Sequence, residues 1–256
     1  MQKIILLSFI LLMPFLAATN KVDSSKWKLV WKDEFTKRKL NKKKWTRHKR
    51  NTADWANTLS PKKSLLKIKK GVLHLRGIVN KNKKDKAPFL TAAINSKGKY
   101  SFKYGKVQVR ARFDSAKGAW PALWMLGEKG GWPGNGEIDL MEHLNFDDFI
   151  YQTIHSKLTV NKGKGPQKSV RAKINKDDWN TYGCEWDKDK IVFTVNGKKT
   201  HTYPRIKGLK DQWPFKQKFY FVLSMQIGGS WVGKGEPKDY PAEMEVDWIR
   251  VYKAKE

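Results

Sequence analysis

The sequence predicts an all-β fold, an antiparallel β-sandwich. Three observations carry this. Helical periodicity is scarce along the 256 residues, short alternating or β-rich runs recur, and turn formers separate those runs. "VQVRARF" shows the strand period most cleanly. It sets Val107, Val109, Ala111 and Phe113 on one face and Gln108, Arg110 and Arg112 on the other.

In chain order the strand candidates are "WKLVWKDEF", "GVLHLRGI", "YGKVQVRARF", "IDLMEHL", "YQTIHSKLTV", "NTYGCEWD", "KIVFTVNGK", "FYFVLSMQI" and "MEVDWIRVY". Asn196-Gly197, directly after "IVFTV", is a hairpin signal. The stretches 36–64 and 156–171 are long enough to form functional rims. No repeat and no break in composition divides the chain, so residues 19–256 are expected to form one domain. If its sheets curve, one concave face becomes a groove wide enough for a polymer.

Residues 1–18, "MQKIILLSFILLMPFLAA", read as a secretory signal peptide: Lys3, an apolar run, then Ala17 and Ala18 as a small-residue cleavage region. The run is too short for a comfortable membrane span, so no transmembrane segment is expected. The mature protein is expected to be secreted, extracellular or periplasmic, with a retained N-terminal anchor as the alternative. A monomer is the default expectation. Cys184 is the single cysteine, which excludes an intrachain disulfide, and it reads as a buried inert thiol.

Lys and Arg number 53 against 24 Asp and Glu, a net charge of +29, which points to an acidic partner or a solvated lysine-rich surface. No zinc-finger spacing, helix-turn-helix pattern or RNA-recognition signature accompanies the charge, so no nucleic-acid partner is expected.

Against this background the stretch "GNGEIDLMEHLNF" stands out. Glu137 and Asp139 share a strand face, while Glu142 is out of step. A β-bulge, one extra residue near Leu140 or Met141, would return Glu142 to their face. Two glutamates on one groove wall suit a retaining glycosidase, whose carboxyl groups lie about 5 to 5.5 Å apart, one a nucleophile and one an acid/base. Asp139 between them can share a proton with Glu137. Spacing alone does not decide which glutamate plays which role. Three carboxylates on an exposed strand are the alternative, at the cost of mutual repulsion.

"GEIDLMEH" resembles the bulged active-site motif of glycoside hydrolase family 16, the laminarinases, β-glucanases, agarases and endo-β-galactosidases. The resemblance extends through "WKLVWKDEF", "NSKGKYSFKYGKVQVRARF", "GAWPALWML", "YQTIHS", "NTYGCEWDKDKIVFTVNGK", "GGSWVG" and "VDWIRVYK", roughly residues 27 to 253. It implies a concanavalin-like β-jelly roll, curved around a concave substrate cleft, and retaining endo-hydrolysis of β-linked glycans. By motif position Glu137 would be the nucleophile, Asp139 its assisting carboxylate and Glu142 the acid/base. Trp120, Trp124, Trp132, His155, Gln226 and Trp231 match cleft positions and would bind substrate; aromatic faces pack against the apolar faces of sugar rings. Trp186 and Trp248 are expected in the core, and His143 is expected to be structural. No cofactor is required for catalysis. A structural calcium is implied near Glu34, Gly71 and Asp247.

The chain departs from the laminarinase pattern at "SMQIGGSWVG" and "RHKRNTADWANTLSPKKS". Those departures resemble endo-β-galactosidases acting on N-acetyllactosamine or mucin-type chains. The expected substrate is β-1,3- or β-1,3-1,4-glucan. The alternative is a galactose-containing chain such as keratan sulfate, whose negative charge the basic surface would fit. A lectin-like sandwich that binds without cutting is the reading from another class, although all three carboxylates are present.

Overall fold

The computed structural model describes residues 22–255, so the expected signal peptide lies outside the described residues. The strands are β1 (Trp27–Asp33), β2 (Thr46–Arg47), β3 (Leu66–Lys69), β4 (Val72–Val79), β5 (Phe89–Leu90), β6 (Ala92–Asn95), β7 (Gly105–Phe113) and β8 (Ala119–Gly127). They continue with β9 (Glu137–Glu142), β10 (Phe149–His155), β11 (Ser169–Lys173), β12 (Asn180–Trp186), β13 (Lys190–Val195), β14 (Lys198–Pro204), β15 (Phe219–Ile227) and β16 (Ala242–Ala254). One short helix, α1 (Lys157–Val160), follows β10.

Two antiparallel sheets result. The outer sheet runs β14-β13-β12-β7-β16-β4-β3, with β1 also on β16 and β5 on β4; the cleft sheet runs β11-β10-β9-β8-β15-β6-β2. The expected β-sandwich is therefore present, in the curved jelly-roll arrangement. Alternation drives the packing. Val107, Val109 and Ala111 of β7 face Ile138 and Leu140 of β9 and Phe221, Leu223 and Met225 of β15 across one core. Trp31 stacks on Tyr100 at 4.3 Å between ring centroids, and Trp45, Phe102, Trp186 and Phe221 extend that aromatic layer. Each fully buried large apolar side chain contributes about 1.5–3 kcal/mol, so a chain without disulfides can hold a sandwich of this size. Cys184 lies in this core with its thiol pushed far up by burial, as expected of an inert cysteine.

The Asn196-Gly197 turn joins β13 to β14 with φ of 51° and 76°, the left-handed pair that a tight hairpin needs. Two expectations are corrected. The run "YQTIHSKLTV" is not one strand: Ser156 leaves it as the cap of α1, its hydroxyl accepting from Thr159 N–H while Thr159 Oγ1 accepts from Ser156 N–H. Trp248 is not in the core. The β7–β16 register slips between Val246 and Trp248, which leaves Trp248 half-buried on the outer face beneath the Arg250 guanidinium, 4.1 Å from its ring. Trp186 is buried as expected, and so is His143, whose Nε2 lies 2.8 Å from Asp147 O.

Candidate active site

The extra residue of β9 is Leu140. Against β8, Trp124 pairs with Asp139 and Leu123 with Met141; against β10, Thr153 pairs with Asp139 and Tyr151 with Glu142. Leu140 has no partner in either ladder. Leu140 and Met141 both enter the core, the alternation resets, and Glu142 emerges on the same side as Glu137 and Asp139. Upstream, Gly136 (φ 79°) starts the strand where a Cβ would stand 2.7 Å from Pro214, so the entry to β9 is pinned against Pro214, Phe215 and Phe219.

The cleft above these carboxyls is a cavity of about 800 Å³. Trp120, Trp124 and Trp132 line it, as do His155, Gln226 and Trp231, so every sequence-expected binding residue reaches it. Trp120 Nε1 donates to Glu142 Oε1 at 3.0 Å, and Trp132 Nε1 donates to Glu137 Oε2 at 2.6 Å. Trp132 and Trp231 are exposed, and Trp231 packs against Trp120 and Tyr151. Trp124 is more wall than platform: it is buried, and its Nε1 donates to Ser224 Oγ. Gln226 departs further from a sugar-binding role. Its Oε1 accepts from Thr58, and its Nε2 donates to Asn57 Oδ1 and the Ile227 and Gly228 carbonyls, so the amide braces the 57–58 loop.

Sequence reasoning missed Trp55, Tyr151, Thr153, Lys168 and Ser169, which also line the cleft. Trp55 meets Trp124 edge-on at 4.8 Å. Strand register brings Tyr151, Thr153 and Ser169 to the groove and loop position brings Trp55 and Lys168, and nothing in their own spacing announces it.

Among the described residues, no lysine or arginine pairs with the three carboxyls. The imidazole of His155 stands beside them, its Nε2 3.3 Å from Asp139 Oδ2, an oxygen with no hydrogen-bond partner among the described residues. Burial first, and the neighbouring carboxyl second, push Glu137 up to about 8 and Glu142 up to about 7. Asp139, almost fully enclosed, is raised well above the carboxylate range by burial and by Glu142. A group that holds protons near neutrality and faces an aromatic groove can give and take them there.

Among the described residues, two groups bring three potential metal ligands within 4.8 Å of one another: Glu137, Asp139 and His155, and His74, Glu243 and Glu245 on the outer sheet. In the second, arginine already holds each glutamate, Arg76 on Glu243 and Arg112 on Glu245. The residues implied for calcium are similarly engaged. Glu34 accepts two hydrogen bonds from Arg250, and Asp247 accepts one from Arg110. Gly71 only turns the chain between β3 and β4. With both carboxylates matched by guanidinium groups, this set does not fit a divalent cation in the present arrangement.

The family model for glycosyl hydrolases family 16 matches residues 41–250. The chain belongs to that family. Among its relatives, the keratan-sulfate endo-1,4-beta-galactosidase of Sphingobacterium multivorum is 36% identical over 91% of this chain, which spans 56% of that protein. The beta-glucanase of Rhodothermus marinus is 31% identical, covering 97% of this chain and 93% of its own. The catalytic domain of an endo-1,3-beta-glucanase (laminarinase) from Thermotoga petrophila RKU-1 superposes with a TM-score of 0.80 at 28% identity, covering 90% of this chain and 99% of that one. No helix among the described residues is long and apolar enough to cross a membrane.

Proposed function

We propose that the protein is a retaining endo-β-glycosidase that cuts a β-linked polysaccharide by double displacement. The observation that carries this is the Leu140 bulge, which sets Glu137 and Glu142 on one wall of an aromatic groove. In the first step Glu137 attacks the anomeric carbon while Glu142 gives its proton to the departing glycosidic oxygen. In the second, Glu142 takes a proton from water, the water oxygen attacks the same carbon, and the Glu137 carboxylate leaves. Asp139 keeps a proton and shares it with Glu137, so Glu137 reacts as the carboxylate. Burial raises Glu137 at least as far as Glu142, so charge alone does not assign these roles; motif position does.

For the substrate, laminarinase structures favour a β-1,3- or β-1,3-1,4-glucan. A galactose-containing chain is favoured by the 36% identical relative, a keratan-sulfate endo-1,4-beta-galactosidase, and Lys168 at the cleft suits the negative charge of a sulfated form of such a chain. We favour the second, because that relative and the basic residue at the cleft both fit a sulfated galactose-containing chain. Secretion, expected from residues 1–18, belongs to the same reading: such polymers lie outside cells.

The roles separate on aryl glycosides whose leaving group needs no proton. Glu142→Gln should still form the glycosyl-enzyme with these substrates, whereas Glu137→Gln should lose turnover by about 10⁴-fold or more on every substrate. Retained cleavage by Glu137→Gln would exchange the two assignments.

A further inference from the structure

One run of basic charge without a carboxylate lies where the cleft ends. From Phe149 to Lys176 the chain carries seven basic residues and no carboxylate. This stretch includes β10, which lines the groove, and β11, which forms the edge of the cleft sheet. Register fixes where the charge points. Tyr151 pairs with Glu142 on one side and with Arg171 on the other. Arg171 therefore stands two strands from Glu142, about 10 Å at the usual strand spacing. It projects from the groove side, since Ala172, the next residue, enters the core. Lys173, opposite Phe149, shares the face of Arg171, and Lys168 lines the cleft itself.

Two features in combination distinguish Arg171: it lies over aromatic rings, as Arg110, Arg112 and Arg250 also do, but unlike those three it holds no carboxylate among the described residues. Its guanidinium carbon lies 4.9 Å from the Phe149 ring and 5.7 Å from the Tyr151 ring. A guanidinium carried over aromatic rings, with no carboxylate to engage it, leaves N–H donors free for a ligand. Further, no ion pair among the described residues includes Arg171, Lys168 or Lys173. Arg50, Arg76, Arg110, Arg112 and Arg250 each hold a carboxylate. Lys168 donates only to the Thr159 carbonyl, at 3.3 Å.

We propose that Arg171, flanked by Lys168 and Lys173, is a subsite for an anionic group, a sulfate ester or a carboxylate, on a sugar beside the scissile bond. This rests on the glycosidase reading and sharpens its substrate class. A fork of N–H donors fits the oxygens of either anion, and its place over the Tyr151 ring ties it to the ring that also packs against Trp231.

The test measures affinity, so it does not depend on turnover. In the Glu137→Gln protein, calorimetry compares three oligosaccharides of equal length: a sulfated galactose-containing one, its desulfated counterpart, and a uronate-bearing one. Adding Arg171→Ala should weaken at least one acidic ligand by about tenfold while the desulfated ligand changes by less than about twofold. Adding Lys28→Ala instead, an exposed cation on β1 of the outer sheet, should change neither. The acidic ligand that responds identifies the anion. Equal losses on all three would mean that Arg171 only supports Tyr151, and no preference for either acidic ligand would leave no anion subsite; both overturn the proposal. Wild-type protein that cleaves no β-linked polymer would refute the glycosidase reading and leave this affinity difference standing or falling by itself.

Discussion

The two sheets share antiparallel construction and much of one core, yet they treat carboxyl groups in opposite ways. On the outer sheet Glu34, Glu243, Glu245 and Asp247 each meet an arginine. Hydrogen bonds from Arg250 hold Glu34 below its ordinary range. On the cleft sheet Glu137, Asp139 and Glu142 meet, among the described residues, indole N–H groups, one imidazole and each other, and all three are pushed up. The difference teaches what makes a carboxyl reactive. Paired with a cation it stays ionised and inert; buried among its own kind, it holds a proton that it can transfer near neutral pH.

Making the cleft resemble the outer sheet should do the most damage. Thr153 faces Asp139 across the β9–β10 ladder, and a lysine there would sit among the three carboxyls. An adjacent cation lowers a carboxyl pKa by one to three units, so kcat of Thr153→Lys at neutral pH should fall by about tenfold to a thousandfold. Its pH optimum should move to lower pH, with the melting temperature as the control for folding. An unchanged optimum would break the comparison.

A smaller effect should follow from Trp120→Phe. The indole N–H favours the ionised form of Glu142, so its loss raises that carboxyl further. Glu142 acts as the acid only while protonated. The alkaline limb of the rate profile, expected near 7 for the parent protein, should therefore move up, with kcat reduced by about tenfold. A limb that moved down would contradict the role given to Glu142.

The smallest effect belongs to the outer sheet. Glu34→Gln removes one partner of a pair that is about a third exposed, and pairs of that kind contribute about 1 kcal/mol or less. Because the folded-state pKa of Glu34 is lowered, its stabilisation is present above the unfolded pKa and lost as pH falls through the folded one. Parent and variant should thus differ slightly in melting temperature at neutral pH and converge in acid, with equal activity throughout.

How much of this was legible depended on whether chemistry flagged the irregularity. The bulge at Leu140 could be read because it had to rescue a misplaced glutamate. The bulge at Val246–Trp248 is the same device, and it went unread because "MEVDWIRVY" alternates plausibly without it. It changed the side on which a tryptophan falls. The end of β10 was missed for another reason: β-branched residues continue past Ser156, while the Ser156–Thr159 capping pair, which decides the outcome, is only two residues. Trp55 and Arg171 were hidden because their roles come from loop position and cross-strand register, which a one-dimensional pattern does not contain. The three carboxyls and the tryptophans around them were legible because their chemistry is unusual wherever it is placed.

The central claim is that Glu137 and Glu142 act on one glycosidic bond from the same groove, one as nucleophile and one as acid/base. The most direct measurement is proton NMR of the first sugar product released from a β-linked oligosaccharide, recorded before mutarotation. The β-anomer should appear first and equilibrate later to a mixture. A product released first as the α-anomer would mean inversion, and the double displacement built on the Leu140 bulge would be wrong.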